Sequence, residues 1–176
     1  QRPGKGVETR GQYEHVNVVV RALRAEATAG HGDERLFAQI AHPMDRALFL
    51  SMLRCGLRVS EVAQLKLEHI DWEQQALHII QGKGRKDRRV YMSPDMVASL
   101  HQCLEQHPGN RAQGYVFWNR KRSQQLLSVK AIQKKMERYA QAAGITASCH
   151  SLRHTFASNL LEHGAEVVAI RDFLGA

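Results

Sequence analysis

Two arginines are the residues of this sequence best placed to do chemistry. Arg58 lies in Cys55-Gly56-Leu57-Arg58-Val59-Ser60-Glu61-Val62, and Arg153 lies in His150-Ser151-Leu152-Arg153-His154. Each is expected at the start of an amphipathic helix, where a cation opposes the helix dipole. A polar surface gains nothing from that placement. A phosphate site gains much, because helix N-termini and guanidinium forks both favour a doubly contacted anion. Between the two lies Gln81-Gly82-Lys83-Gly84-Arg85-Lys86-Asp87-Arg88-Arg89, a glycine-punctuated basic segment with strand-like flanks. Together the three read as a phosphodiester site on a DNA-binding scaffold.

Each motif alone has a plainer reading. Arg58 could be a surface arginine paired with Glu61 three residues on, and Glu61 an ordinary first-turn acid that suits the dipole. Gly82-Lys83-Gly84 could be a solvated turn. It is not a Walker phosphate loop, whose GxxxxGK[ST] spacing is absent. His150 and Arg153, three apart, share one face of a helix end and could be surface decoration. Their order and separation raise the odds beyond what any one of them gives.

Composition agrees with a polyanionic partner. Twenty-five Lys and Arg against 17 Asp and Glu leave a net charge of +8 over 176 residues, enough chain for one well-buried domain. The three cysteines, Cys55, Cys103 and Cys149, are widely spaced with no CxxC pair and read as reduced thiols of an intracellular, cytoplasmic protein. No apolar run reaches membrane-spanning length, and no signal-peptide stretch opens the sequence. Ten histidines are many, but no HExxH or Cys/His cluster appears, so neither a metal nor another cofactor is expected.

The elements that must position these residues follow from periodicity. Residues 1–32 read as a basic, glycine-rich arm with a helix within 13–27, and 33–176 as the domain proper. Asp33 caps a helix to about Ala41. Pro43 starts another, carrying Ala47, Leu48, Leu50, Met52 and Leu53, which Gly56 ends. Ser60–Leu67 is a short helix with Arg58 just ahead. The period then changes, with strands at 76–80 and 88–92 around the basic turn. Ser93-Pro94 opens a helix to Gln106 with Met96, Val97, Leu100 and Leu104 inward. Tyr115-Val116-Phe117-Trp118 reads as a short strand, and Ser128 to Ala143 as a helix closed by Gly144. Helices over 151–163 and 165–174 follow, the last carrying Val167, Val168, Ile170, Phe173 and Leu174 as an apolar set to pack on the core. The fold class is mainly α with a small antiparallel β-sheet.

The order Gly56-Leu57-Arg58-Val59-Ser60-Glu61, Gly82-Lys83-Gly84-Arg85-Lys86-Asp87-Arg88, His150-Ser151-Leu152-Arg153-His154 resembles the catalytic domain of the tyrosine recombinases, the phage-integrase and Xer-type enzymes. Leu65-Lys66-Leu67-Glu68-His69-Ile70-Asp71-Trp72 and Phe173-Leu174-Gly175 match its surroundings. The resemblance implies a site-specific recombinase or integrase of bacterial or phage origin that cleaves and rejoins double-stranded DNA through a 3′-phosphotyrosyl link. It makes Arg58 and Arg153 the phosphate-clamping pair, Glu61 the support of the first arginine, Lys83 the hairpin lysine, and His150 the partner of Arg153. Arg85, Lys86, Arg88, Lys121 and Arg122 would add DNA contacts.

The chemistry suits those types. Two guanidinium groups can hold the charge on a five-coordinate phosphorus without a metal, and losing one such donor typically costs about 10²–10³ in rate. A lysine can protonate the leaving 5′ oxygen, and a histidine can relay or orient.

The match departs from the pattern at the end. Ala176 stands where the family has His or Trp after Leu-Gly, and its tyrosine nucleophile is expected about nine residues further on. Tyr13, Tyr91, Tyr115 and Tyr139 fit no nucleophile position. The expectation is therefore a C-terminally incomplete catalytic domain, inactive and monomeric alone, whose full-length form assembles as a dimer or tetramer on DNA. A type IB topoisomerase-like enzyme and a DNA-binding protein without catalysis are the alternatives.

Overall fold

The computed structural model describes residues 31–80, 87–109, 114–122 and 125–175. The expected arm over 1–12 and the helix within 13–27 lie outside them, as do Lys83, Arg85, Lys86 and Ala176. The order is α1 (His31–Ala38), α2 (Pro43–Cys55), α3 (Val59–Gln64), a 3-10 turn (Leu67–His69), β1 (Ile70–Asp71), β2 (Ala76–Ile79), β3 (Arg88–Tyr91), α4 (Pro94–Glu105), α5 (Val129–Ala143), α6 (Cys149–Glu162) and α7 (Val167–Leu174). The described residues are helix-rich with one three-stranded antiparallel sheet, in the order β1-β2-β3.

The centre is α2. Pro43 pre-sets its first turn and the His42 ring accepts the Met44 N–H. Gly56 ends it in the left-handed conformation at φ 64°, returning its N–H to Met52. Ten of its thirteen residues are buried, so it is apolar on nearly every side and must be surrounded. The helices α4 and α6 pack directly on it.

Its one buried charge, Asp45, faces α5. There it meets Lys135 Nζ at 3.1 Å and accepts the Tyr139 hydroxyl at 2.6 Å. Burying a charge is tolerated when it is paired and hydrogen-bonded, and this pair ties α2 to α5. Arg35 from α1 donates to the Ala143 carbonyl at 2.7 Å, a cation at the C-terminus of α5.

Some expectations need correction, the first being Asp33 as a cap and Ala41 as the end of its helix: Asp33 lies inside α1, which runs from His31 to Ala38. The expected Ser60–Leu67 helix is only Val59–Gln64, and a 3-10 turn follows it. Tyr115–Trp118 is not a strand. Its backbone makes only isolated bridges, Lys66 to Tyr115 and Trp118 to Leu126, although Val116 and Phe117 are fully buried. On α4 the inward set holds, with Met96 and Leu100 fully buried and Val97 and Leu104 half-buried against the core, but Ser99 and Cys103 are buried as well. On α7 the set divides: Ile170 is buried and Phe173 and Leu174 half-buried, but Val167 and Val168 are 71% and 56% exposed. No helix among the described residues is long and apolar enough to cross a membrane.

Candidate phosphate-binding site

Arg58 is the N-cap of α3, directly after the turn that Gly56 makes. The cap is built from Glu61, whose Oε2 accepts the Arg58 backbone N–H at 2.8 Å. An acid at that third helical position offsets an otherwise unfavourable cation at the helix start. Its Oε1 also accepts from Arg58 Nη1 at 3.3 Å.

Arg153 comes from the other end of the sequence. It lies in the second turn of α6, rather than at the helix start, because Ser148 caps the helix and Cys149 is its first residue. From there the side chain reaches back to α3. Arg153 Nη1 donates to the Gly56 carbonyl at 3.0 Å and stands 4.0 Å from Glu61 Oε2. Both arginines then meet the end of α7, Arg58 Nη2 donating to the Gly175 carbonyl at 3.0 Å and Arg153 Nη2 to the Leu174 carbonyl at 2.7 Å. Cations at that helix C-terminus are favoured by its dipole.

Gly56 is what lets these elements close. A Cβ there would come within 2.4 Å of Phe156 on α6 and 3.1 Å of Leu174 on α7.

A third arginine completes the cluster. Arg88, at the start of β3, donates Nη1 to Glu61 Oε1 and Nη2 to Glu61 Oε2, both at 2.8 Å. Its side chain is only 8% exposed. The sequence reading placed Arg88 among DNA contacts, but the guanidinium is turned inward and given to a carboxylate. Strand alternation carried the signal. Arg88 is two residues from buried Val90, hence on the same face, with Ile79 and Leu77 opposite them in the register.

Three guanidinium groups thus surround one carboxylate. Burial alone would raise the Glu61 pKa, but the Arg88 hydrogen bonds, the Arg58 N–H and both charges hold it below the usual carboxylate value. Burial and the Arg58 charge push Arg153 down to about 10, against an upward pull from Glu61. The cluster keeps surplus positive charge, which an anion would balance.

Of the other candidate residues, His150, Lys121 and Arg122 are among those described. His150 is one turn ahead of Arg153 on α6 and exposed, its ring edge-on to His154 at 4.5 Å between centroids. Lys121 and Arg122 are exposed on a turn fixed by Asn119, whose side-chain oxygen accepts both their N–H groups. The turn ends at Leu126, which lines a groove of about 910 Å³ together with Arg58, Glu61, Lys66, His69 and Tyr115. Of the tyrosines, Tyr139 is held by Asp45, and burial with that contact pushes it up to about 12. Among the described residues no group of three or more His, Cys, Asp or Glu is placed to hold a metal ion.

Residues 32–175 match the phage integrase family. The tyrosine recombinase XerA of Thermococcus onnurineus is 34% identical over 131 residues, which are 74% of this chain and 46% of that protein. The chain spans about half the length of the curated relatives it matches. Among solved structures, that of XerA recombinase superposes with a TM-score of 0.74 at 26% identity, covering 84% of this chain and 54% of the other. The XerH site-specific recombinase bound to its difH substrate gives 0.67 at 24%, covering 87% and 48%, a likeness of fold.

Proposed function

This chain belongs to the phage integrase family, and on that premise we propose that Arg58 and Arg153 clamp a phosphodiester of duplex DNA during site-specific strand cleavage and rejoining. One observation carries the reading: two guanidinium groups 95 positions apart meet the same carboxylate and the consecutive carbonyls of Leu174 and Gly175. Surface arginines have no reason to converge in this way. Forked N–H donors fixed in advance match the non-bridging oxygens of a phosphate, and fixed donors are most effective where charge grows in a transition state.

In this reading Glu61 orients Arg58, Lys83 donates the proton to the leaving 5′ oxygen, and His150 orients a phosphate oxygen or relays the proton of the attacking hydroxyl. The whole protein joins DNA strands through a 3′-phosphotyrosyl intermediate, which conserves the bond energy for rejoining. Lys121 and Arg122 take up phosphates along the groove, and self-association occurs on the DNA.

Inorganic phosphate and a short duplex, titrated calorimetrically into this chain and into Arg58→Ala and Arg153→Ala, test the clamp. Both variants should keep their fold and lose phosphate binding by tenfold or more, on the order of 1.5–3 kcal/mol for a hydrogen bond to a charged group. Unchanged phosphate binding in both would overturn the reading.

A further inference from the structure

We propose that Arg88 is a positioning residue: by holding both oxygens of Glu61, it keeps the carboxylate from drawing the Arg58 and Arg153 guanidinium groups out of the orientation that their carbonyl contacts give them for phosphate. This rests on the phosphate-clamp reading and deepens it. The geometry around Glu61 is unequal. Arg88 makes the paired contact, 2.8 Å to each oxygen, whereas Arg58 Nη1 is at 3.3 Å and Arg153 Nη1 at 4.0 Å. Arg58 adds its backbone N–H at 2.8 Å, which costs its guanidinium nothing. The three shortest of these contacts are therefore made by groups other than the clamp forks.

The alternative arrangement shows why that matters. The Glu61 side chain is 9% exposed, so water cannot satisfy it if Arg88 lets go. Among the described residues, the other cations beside Glu61 are the two clamp arginines, and a paired contact with either would draw its guanidinium off the carbonyls of Gly56, Leu174 and Gly175 and turn its fork from a phosphate to the carboxylate. Arg88 cannot turn outward to take the phosphate itself. It is 8% exposed, and its Nε is buried with no acceptor, so Glu61 alone fixes the plane of the guanidinium. The strand register, with Arg88 opposite Ile79 and two residues from buried Val90, sets that inward direction. A lysine at this position would keep the charge but offer a point contact instead of a fork.

The decisive comparison uses Arg88→Lys, Glu61→Gln and the double variant, with two readouts. Inorganic phosphate affinity is measured by calorimetry, and the Arg58 and Arg153 Nε–H resonances by 15N NMR without phosphate. R88K should bind phosphate about tenfold more weakly although no charge is lost, and both resonances should move as Glu61 shifts onto the clamp. In the E61Q background the same lysine substitution should have no further effect on affinity or resonances. An R88K protein with unmoved resonances overturns the inference, as does a loss of affinity that persists in the E61Q background. Those outcomes are separate from failure of the clamp itself, which shows as phosphate binding indifferent to R58A and R153A.

Discussion

Glu61 and Arg153 are held away from their ordinary titration ranges in ways that fix two pH responses. For Glu61 the folded pKa is lowered, so its contribution to stability is fully present above the unfolded value near 4.5 and is lost as pH falls through the folded one. Acid unfolding followed by circular dichroism should accordingly be shallower in Glu61→Gln below that pH, and an unchanged acid limb would show that the carboxylate is not coupled to folding. Arg153 is a base whose folded pKa, about 10, is also lowered. The linkage sign is the same: its stabilising share exists only above the ordinary guanidinium range and is lost as pH falls through about 10, so at neutral pH the cation is held at a cost. A bound dianion offsets that cost. Phosphate should raise the melting midpoint at pH 8.5, by an amount corresponding to about 2.7 kcal/mol at a hundredfold excess over Kd. The shift should shrink as pH approaches and passes 10. Differential scanning calorimetry across that range checks it, and a phosphate effect constant with pH would contradict the role given to Arg153.

At the scale of elements, the caps do most of the placing. Gly56 ends α2 with φ 64°, brings Arg58 to the start of α3 and offers its carbonyl to Arg153. Gly56→Ala meets both a strained backbone and the Phe156 ring, so a loss of about 2–4 kcal/mol is expected from chemical denaturation. Breaking the buried Asp45–Lys135 pair with Asp45→Asn should cost about 3 kcal/mol, whereas Tyr139→Phe removes one hydrogen bond and should cost about 1 kcal/mol. Near-equal losses in those two variants would show that the charge pair contributes little. Proline, serine and glycine punctuation made these helices legible: Pro43 with Gly56, and Ser128 with Gly144, bracket α2 and α5 within a residue. What escaped the sequence was decided by neighbours. Tyr115–Trp118 has the apolar content of a strand, but strand pairing depends on which backbones lie alongside, and it meets two different ones for a single bridge each, Lys66 at one end and Leu126 at the other, so no ladder builds up. Val167 and Val168 have the same composition as buried Ile170, and the outward direction of their side chains follows from where α6 and β3 meet α7. Arg88 was legible in strand alternation, but a basic run reads as solvated until its partner is known. The pairing of Arg58 with Glu61, by contrast, is local and needed only the three-residue spacing.

For the whole molecule, the net charge of +8 acquires a direction once the fold is known. From the arginine cluster, Arg58 and Glu61 line a groove together with Lys66 and His69, and Leu126, four residues after Arg122, lines it too. A duplex whose backbone follows that groove would meet fixed donors at one phosphate and solvated cations at others. These two kinds of contact separate in a salt titration. Neutralising each phosphate releases condensed counterions, so log K should fall linearly with log salt, with a slope of about −0.9 per phosphate contacted. Replacing Lys121 and Arg122 together by alanine should reduce the magnitude of that slope by about two, weakening binding similarly for unrelated sequences, because such contacts position without reading bases. Arg58→Ala should weaken binding in a different manner. Its donors are pre-set by Glu61 and the Gly175 carbonyl, so affinity for inorganic phosphate should fall along with affinity for duplex, whereas K121A/R122A should leave inorganic phosphate binding unchanged. Fluorescence anisotropy with a labelled duplex at several salt concentrations, beside phosphate calorimetry on the same variants, measures both quantities. A duplex affinity indifferent to salt would remove the electrostatic account of the groove. Loss of inorganic phosphate binding in K121A/R122A would mean that the turn and the arginine cluster form one site instead of two kinds of contact along one strand.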